Sequence, residues 1–424
     1  MRPNRFVRLA VALLAPLLVA GVVVAQAGVA FAGTGHHGHV LYVSASAKHW
    51  NSDRSCRSAA FKTIQSAVNA APAGGTVVVC PGTYHEQVVI SKPLTLTGKH
   101  ATIDETGVTP TFQVMLPVLG PQTIFAAVVM ESSGIHFTGF RVQHAQGEGI
   151  LAAGLNGPVS GIVISRNAVV HNDLGGGVPP KSTYFLCAAQ GEVPGDCGEG
   201  VHFAGGVAYS AIRDNFIADN SGGVLLTDDV GPTHNNVVQG NVVTDNVADC
   251  GITVPGHNPN ALNSSGVPQP SVAGVYRNAI LGNVVTGNGV KGFGAGVLFA
   301  TPTPGTASYD NLVQGNYIAG NGLAGVTMHA HGPASHEDLN GNVIVRNSIG
   351  KNNLLGDPLD GPPGPVTKTT GVLVFSGGTP VSVTIAHNHI FNNFFGIWLS
   401  TPVTAFGLRT NTFSHVIIRI SAGH

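Results

Sequence analysis

Two adjacent carboxylates stand out in a chain that carries few charges. Asp228 and Asp229 occur in the stretch GGVLLTDDVGPTH, residues 222–234, whereas charged residues make up 10% of the 424 residues. Two close carboxyl groups suit acid–base cleavage of a glycosidic bond, because the charge of one keeps the other protonated. The protonated group donates to the leaving oxygen, and the carboxylate activates water. We therefore predict Asp228 and Asp229 as catalytic residues.

Histidines at related positions extend this candidate site. Short segments of the form Gly–(Val or Ile)–x–apolar recur along the chain, and aligning them by their glycines places His257 one segment after Asp229. The spacing of parallel strands then predicts His257 ~5 Å from Asp229, where it would tune the acid pair as a third catalytic residue. The residues predicted to contact a substrate on the same face are His202, His234, Asn258, His329, His331 and Trp398.

Other roles for these residues are open. An Asp-Asp pair in a turn often only accepts backbone N–H groups, and it can also contribute to a Ca²⁺ site. The alternating histidines of MHAHGPASHEDL are suited to a transition metal, and they are His329, His331 and His336. The sequence therefore predicts no definite metal site or cofactor, while Ca²⁺ or a transition metal stays open.

Two repeated motifs must position these side chains. The glycine-led segments begin at Gly149, Gly200, Gly251, Gly296, Gly325, Gly371 and Gly396. A second motif, Asn-x-apolar-x-x-Asn, begins at Asn167, Asn215, Asn241, Asn283, Asn316, Asn347 and Asn388. Alternating apolar residues predict short strands with one inward face, and an Asn can bond to an identical Asn one coil away. We expect each strand-entry glycine to adopt a positive φ and each Asn to tolerate a left-handed conformation.

These repeats predict one all-β solenoid, a single-stranded parallel β-helix over residues 76–424. Residues 58–75 are predicted to form a helix that caps the first coil, with Ser58 as its N-cap. Residues 33–57 are predicted to be a flexible N-terminal segment of the mature protein. Residues 1–32 are predicted to be a signal peptide, because three arginines precede an apolar run and the small-residue site AFA.

One stretch makes the chain similar to a known group. TIQSAVNAAPAGGTVVVCPGTYHEQVVISKPLTLTG strongly resembles the opening of the pectin-lyase-like right-handed β-helices, and the Asn repeats resemble the NosD-like carbohydrate-binding and sugar-hydrolysis group. The resemblance covers residues 60–420 and implies a right-handed parallel β-helix. The superfamily includes lyases, hydrolases, esterases, epimerases and non-enzymes, so activity must come from the site. The TDD and GHN segments resemble those of polygalacturonase-type hydrolases, and an Asp–His set is similar to an epimerase site.

The predicted signal peptide indicates a secreted, extracellular protein with no membrane span once the signal is removed. Export permits disulfides, and the preferred pairs are Cys56–Cys80 and Cys187–Cys197, while Cys250 is expected to be a small buried residue. The formal net charge of −1 provides no basic surface for nucleic acid. The oligomeric state stays open.

These observations predict a secreted polysaccharide-active enzyme that binds a carbohydrate in a lateral groove of the β-helix. The walls of the groove would be insertions at residues 173–199, 258–273, 303–309, 331–340 and 354–370. A hydrolase is favoured over an epimerase or a lyase. The alternative is a non-catalytic β-helix, either a surface-binding protein or a NosD-like accessory protein connected with copper.

Overall fold

A computed structural model describes residues 40–46, 55–116, 120–173, 198–330, 336–357 and 367–423. These residues fall within one compact unit, Gly38–His424. The predicted signal peptide, the Cys187–Cys197 pair and His331 lie outside the described residues. A strand at Val40–Val43, paired in parallel with Gly75–Val79, occupies part of the segment that was predicted to be flexible.

One short α-helix covers the first coil, over Ile64–Ala70. It is shorter than predicted, and its N-cap is Thr63 and not Ser58, because the Thr63 hydroxyl accepts the backbone N–H of Ser66. The Glu86 carboxylate accepts the N–H groups of Ile64 and Gln65 at 2.7 and 2.9 Å and so satisfies two further donors of the first turn. A 3₁₀-helix spans Leu408–Thr410.

The strands form three long parallel stacks, one for each side of the coil, and one short corner stack. Sheet 1 contains Val40–Val43, Gly75–Val79, Leu94–Asp104, Ile135–Gln143, Val163–Ser165, Ala211–Arg213, Val237–Gln239, Ala279–Leu281, Leu312–Gln314, Asn342–Val345, Val381–Ala386 and Val403–Phe406. Sheet 2 contains Gly82–Tyr84, the second halves of Leu94–Asp104 and Ile135–Gln143, Ala168–Val170, Phe216–Ala218, Val242–Thr244, Val284–Thr286, Tyr317–Ala319, Ser348–Ile349, His389–Phe391 and Thr412–Ser414.

The third stack, called the site sheet below, carries the candidate residues. It contains Val88–Ile90, Ala126–Met130, Glu148–Ala152, Glu199–Ala204, Gly222–Thr227, Ile252–Pro255, Val297–Thr301, Val326–Ala330, Thr370–Ser376, Phe395–Leu399 and Ile418–Ala422. The corner sheet contains Val159–Ser160, Val207–Ala208, Thr233–His234, Val275–Tyr276 and Ser308–Tyr309. Gln113–Leu116 and Gly120–Thr123 pair antiparallel outside these stacks. The predicted parallel β-helix is therefore confirmed.

Apolar side chains from all three sides fill the interior of the coil. The predicted inward positions of the glycine-led strands are buried in this core, as Val224, Leu226, Ile252 and Val254 illustrate. A disulfide joins Cys56 to Cys80, as predicted, and the Cys250 thiol is buried and unbridged. Among the described residues, no helix has the length and apolar character needed to cross a membrane.

Buried asparagines connect successive coils at the corners. The ladder at the turn between sheets 1 and 2 consists of Asn167, Asn215, Asn241, Asn283, Asn316, Asn347, Asn388 and Asn411. A second ladder follows sheet 2 and consists of Asn172, Asn220, Asn246, Asn288, Asn321, Asn352 and Asn393. In the first ladder each Oδ1 accepts the backbone and side-chain N–H groups of the Asn one coil earlier. The predicted stacking of identical asparagines is confirmed.

The backbone conformations of the repeats differ from two of the predictions. At most corners the left-handed residue is the one before the ladder Asn, for example Asp214 (φ 56°) before Asn215. The strand-entry glycines do not have a positive φ. They are glycines because a side chain would collide with the core: a Cβ at Gly251 would lie 2.3 Å from Val285 Cγ1.

Removal of one ladder asparagine is expected to destabilise the fold strongly. Asn241 accepts two hydrogen bonds from Asn215 and donates to Ile212 O and Asn283 Oδ1. Asn241→Ala leaves these buried groups without partners, at about 1–3 kcal/mol for each unsatisfied group, so the free energy of unfolding should fall by about 3 kcal/mol or more. Urea unfolding measures the loss. Asn260→Ala, at an exposed position, is the control, and equal midpoints for the two variants would contradict the structural role of the ladder.

Glu105 gives the fold a defined pH dependence. Its side chain is buried, Oε2 accepts the backbone N–H of Gln146 at 3.3 Å, and Oε1 has no hydrogen-bond partner among the described residues. Burial raises the pKa of Glu105 to about 7. The folded pKa is above the unfolded one, so the stabilisation is complete below the unfolded pKa and is lost as the pH rises through about 7.

The Glu105→Gln variant is expected to be more stable than wild type in alkaline solution. Glutamine keeps an oxygen for the Gln146 N–H and carries no charge to bury. Thermal unfolding should show a gain of up to about 3 kcal/mol near pH 8 and little gain near pH 4. A variant that destabilises the protein equally at both pH values would contradict the raised pKa.

Candidate active site

The dyad of Asp229 and His257 lies where two neighbouring strands of the site sheet end. Val224 pairs with Ile252 and Leu225 with Thr253, so this register brings Asp229 level with His257 one coil later. Asp229 Oδ1 lies 3.1 Å from His257 Nδ1, and the two side chains are 8% and 5% exposed. The predicted proximity of these two residues is confirmed. A carboxylate next to an imidazole is an arrangement that fixes the ring and stabilises its protonated form.

Asp228 points elsewhere and does not pair with Asp229. Its Oδ1 accepts the backbone N–H groups of His257 (2.6 Å) and Asn258 (3.1 Å), and its Oδ2 accepts that of Gly274 (2.6 Å). The side chain is fully buried, and burial raises its pKa to about 6 against the lowering effect of the three N–H groups. Asp228 thus ties together both ends of the loop 258–273. This geometry matches the turn-acceptor interpretation and differs from the predicted acid pair and from a Ca²⁺ site.

A chain of buried polar groups continues inward from Asp229. The Thr227 hydroxyl donates to Asp229 Oδ2. His202 Nε2 lies 3.0 Å from Thr227 Oγ1 and 3.9 Å from Asp229 Oδ2, while His202 Nδ1 lies 3.0 Å from Glu148 Oε1. His202 is fully buried, so the prediction that it contacts substrate on an open surface is wrong.

The hydrogen bonds of this chain assign the tautomer of His202. The hydrogen of the Thr227 hydroxyl points to Asp229, so Thr227 Oγ1 accepts and His202 Nε2 carries a proton. In the neutral imidazole, Nδ1 then presents its lone pair to the Glu148 carboxyl. The chain links the deep end of the cluster to the Asp229–His257 dyad.

Glu148 and Glu199 were not among the predicted site residues. They occupy matching positions on adjacent strands, since Ile150 pairs with Val201. Both are 1% exposed, and burial raises the pKa of each carboxyl well above its usual range. The segments GEGI and GEGV carry the signal, because each places a Glu directly before the strand glycine.

The strand-entry glycines explain how these glutamates reach the outer face. A Cβ at Gly149 would point into the core and lie 2.6 Å from Val169 Cγ1, and the following residue, Ile150, also faces the core. These two consecutive inward positions interrupt the usual alternation of inward and outward residues along the strand. Glu148 before the glycine and Leu151 after it therefore share the outer side, as do Glu199 and His202 on the next coil.

The other predicted contact residues lie in different surroundings. Trp398 is 1% exposed and packs with Ala324, Leu373 and Phe395, so the prediction of an exposed aromatic platform is wrong. His234 belongs to the corner sheet, where its ring stacks on Tyr276 at 4.9 Å. Asn258 is partly exposed beside His257.

His329 lies three strands along the site sheet from Thr227 and is partly exposed. The partner positions of this histidine on the adjacent strands are Ala300 and Phe375. The proposed transition-metal set of His329, His331 and His336 stays a prediction, because His331 lies outside the described residues.

Asp228→Asn is expected to loosen both ends of the loop 258–273. Asparagine replaces one acceptor oxygen with an amide NH₂ group, which is a donor and cannot accept a backbone N–H. Amide hydrogen exchange at His257, Asn258 and Gly274 should therefore accelerate by about 10-fold or more. Hydrogen-exchange mass spectrometry measures this. Asp214→Asn, at an exposed left-handed corner that asparagine tolerates, is the control. Unchanged exchange at all three amides would contradict the role assigned to Asp228.

Two protein-family models match parts of the chain. A family model described as periplasmic copper-binding protein (NosD) matches residues 140–330, and one described as right handed beta helix region matches residues 260–413. A search of curated proteins gave no significant match.

The chain shares its fold with a solved structure. The A-module of mannuronan C-5 epimerase AlgE4 from Azotobacter vinelandii matches with a TM-score of 0.50 and 17% identity over 84% of this chain and 92% of that chain. The Dettilon tailspike protein (gp208) matches with a TM-score of 0.49 and 13% identity, over 89% of this chain and 68% of that chain. An alginate lyase from Paenibacillus sp. matches with a TM-score of 0.45 and 14% identity, over 83% and 95%. The chain therefore has the fold of the right-handed parallel β-helix proteins.

Proposed function

We propose that the protein is an exported polysaccharide-modifying enzyme whose reaction centre is the Asp229–His257 dyad. The observation that carries the proposal is the 3.1 Å contact between Asp229 Oδ1 and His257 Nδ1 at the outer end of a buried polar chain. Asp228 supports the arrangement, because it holds the backbone N–H of His257. The Cys56–Cys80 disulfide agrees with a compartment outside the cytoplasm.

The arrangement of carboxyl groups favours proton abstraction over hydrolysis. Glycoside hydrolysis uses two carboxyl groups that flank the scissile bond, about 5–9.5 Å apart. Near Asp229, Asp228 is committed to three backbone N–H groups, and the imidazole of His202 separates Asp229 from Glu148. Asp228 and Glu148 are also buried, so neither offers Asp229 a second carboxyl group that a sugar could contact. Abstraction of a proton next to a sugar carboxylate needs one base, which the dyad supplies.

In this proposal His257 is the catalytic base and Asp229 is its positioning residue. Asp229 accepts the Nδ1–H of His257, which leaves Nε2 as the basic nitrogen, and the Thr227 hydroxyl fixes the other oxygen of Asp229. Nε2 takes the C5 proton of a uronate. Elimination follows if the C4–O bond breaks and the imidazolium returns the proton to the leaving oxygen. Epimerisation follows if a water molecule protonates C5 from the opposite face and the imidazolium loses its proton to the resulting hydroxide. Asn258 is proposed to contact the sugar.

Polyuronates are the first substrate class to test. The A-module with the matching fold is named as a mannuronan C-5 epimerase, and at 17% identity this guides the choice of substrate without deciding it. The histidines His329 and His331 stay proposed substrate contacts further along the site sheet, and His234 a proposed contact at the corner.

A non-catalytic accessory role connected with copper is the second candidate. The match of residues 140–330 to the NosD model favours it. Soft sulfur ligands suit Cu(I). Cys250 is buried and pairs with no second cysteine among the described residues, and its sulfur accepts the Ala295 N–H. Glu148, Glu199 and His202 supply oxygen and nitrogen ligands, which suit a divalent ion such as Cu²⁺ better than Cu(I).

The proposed reaction predicts that a uronate loses its C5 proton, which is followed by replacement from solvent or by formation of a double bond. The mature protein is incubated in D₂O with polymannuronate, polygalacturonate or, as the control polymer, a neutral glucan. On a polyuronate, NMR should detect either deuterium at C5, as epimerisation requires, or 4,5-unsaturated ends, as elimination requires. Asp229→Asn and His257→Gln should each lower the rate by about 10²–10⁴-fold, the usual contribution of acid–base catalysis. Asp214→Asn is the matched control, since it makes the same change on an exposed corner.

Two outcomes would contradict this proposal. New reducing ends without deuterium or unsaturated products would establish hydrolysis. Absence of any reaction on the panel, with wild type and both variants alike, would favour the accessory role.

A further inference from the structure

Three side chains with metal-binding atoms lie together behind the dyad. One such atom from each of Glu148, Glu199 and His202 lies within 4.8 Å of the others, and all three residues are at most 1% exposed. We propose that this cluster binds one divalent first-row transition cation through the two carboxylates and Nδ1 of His202.

The geometry needs only a small adjustment to enclose an ion. Three atoms no more than 4.8 Å apart lie within ~2.8 Å of a common centre, and Zn²⁺ bonds to oxygen and nitrogen at about 2.0–2.2 Å. A shift of each side chain by less than ~1 Å closes the site. The tautomer of His202 is suited to this, because Nε2 carries the proton and Nδ1 presents its lone pair on the side of Glu148.

Buried carboxylate oxygens without a donor are a second observation that favours a cation at this cluster. Glu199 Oε1 is buried without a hydrogen-bond partner among the described residues, while Oε2 accepts the backbone N–H of Gly198. The neighbouring Asp249 is 2% exposed, and its Oδ2 also lacks a partner within the described part of the chain. Gly222 adjoins them: a Cβ there would lie 2.9 Å from Glu199 Oε1 and 3.4 Å from the Cβ of Asp249.

Charge and ligand type select the kind of ion. The two carboxylates carry two negative charges when ionised, and one divalent cation neutralises both. Without a metal, protons must neutralise these carboxylates instead. Ca²⁺ prefers six to eight oxygen ligands, and Cu(I) prefers sulfur, so neither suits two carboxylates and an imidazole. Zn²⁺, Mn²⁺ and Cu²⁺ accept this mixed set.

The second shell of the proposed site leads to the dyad. His202 Nε2 donates to Thr227, and Thr227 donates to Asp229, which is the way metal-bound histidines are commonly oriented. An ion on Nδ1 would therefore hold Thr227 and Asp229 in their observed hydrogen bonds. The inference does not rest on the proposed reaction, because metal binding is measured without substrate.

The test is metal content and binding by the purified full mature chain. Metal content is measured by mass spectrometry before and after chelation. The chelated protein is then titrated with ZnCl₂, MnCl₂, CuCl₂ or CaCl₂, with calorimetry and thermal unfolding as readouts. We expect one tightly bound transition ion per chain, a raised Tm with that ion, and no equivalent effect of CaCl₂. Glu199→Gln and His202→Gln should each weaken this binding by at least about 10-fold.

Glu131→Gln controls for loss of a carboxylate, because Glu131 is partly exposed and bonds to Asn156 instead. Circular dichroism of the metal-free variants separates loss of binding from loss of folding. Two results would overturn the proposal. The first is binding that survives in both cluster variants, as expected for other histidines of the chain. The second is that wild type binds no transition metal tightly and that metal-free Glu199→Gln is more stable than wild type. That result is expected if protons alone neutralise Glu148 and Glu199.

Discussion

The amide ladders at the corners of the coil set the spacing on which the rest of the structure depends. Within each ladder, an asparagine such as Asn215 accepts two hydrogen bonds from the coil before it and donates to the coil after it, so register cannot slip without leaving buried donors unpaired. This constraint fixes the register of the site sheet as well. Asp229 meets His257, and Glu148 meets Glu199, because residues at equal positions of adjacent coils must lie side by side.

The site departs from the repeat where its residues carry charge. Equivalent strand positions elsewhere on the site sheet are occupied by small or apolar residues, such as Cys250, Ala295 and Ala324 in the column of Glu148 and Glu199. Burial of two carboxylates and an imidazole in one cluster is costly unless protons or a cation neutralise them. The hydrogen-bonded chain from Glu148 to His257 shows that these charges are organised and not scattered, which is the physical basis for assigning a function to this region.

The sequence supports the fold far better than the site. Alternating apolar residues and recurring asparagines predict the strands, the inward faces and the stacking of Asn215 on Asn241, because these features repeat. Asp229 and His257 were found because they follow neighbouring strands at the same offset. The sequence could not separate Asp228 from Asp229, since two adjacent acids differ only in which backbone N–H groups the fold brings to them.

Burial of the outer face was also hidden from the sequence. Strand alternation correctly placed His202 and Trp398 outside the coil, but it does not show that other parts of the chain cover this face. The sequence did not indicate Glu148 and Glu199, because the strand-entry glycine and the residue after it both face inward. Simple alternation therefore does not predict that the residue before the glycine faces outward.

The most direct test is a crystal structure of Asp229→Asn with a bound uronate oligosaccharide. We expect a sugar next to the dyad at the outer end of the polar chain, with its C5–H directed at His257 Nε2 within about 3–3.5 Å. A sugar bound with its C5–H away from His257, or bound on another side of the coil, would contradict the assignment of the dyad as the reaction centre.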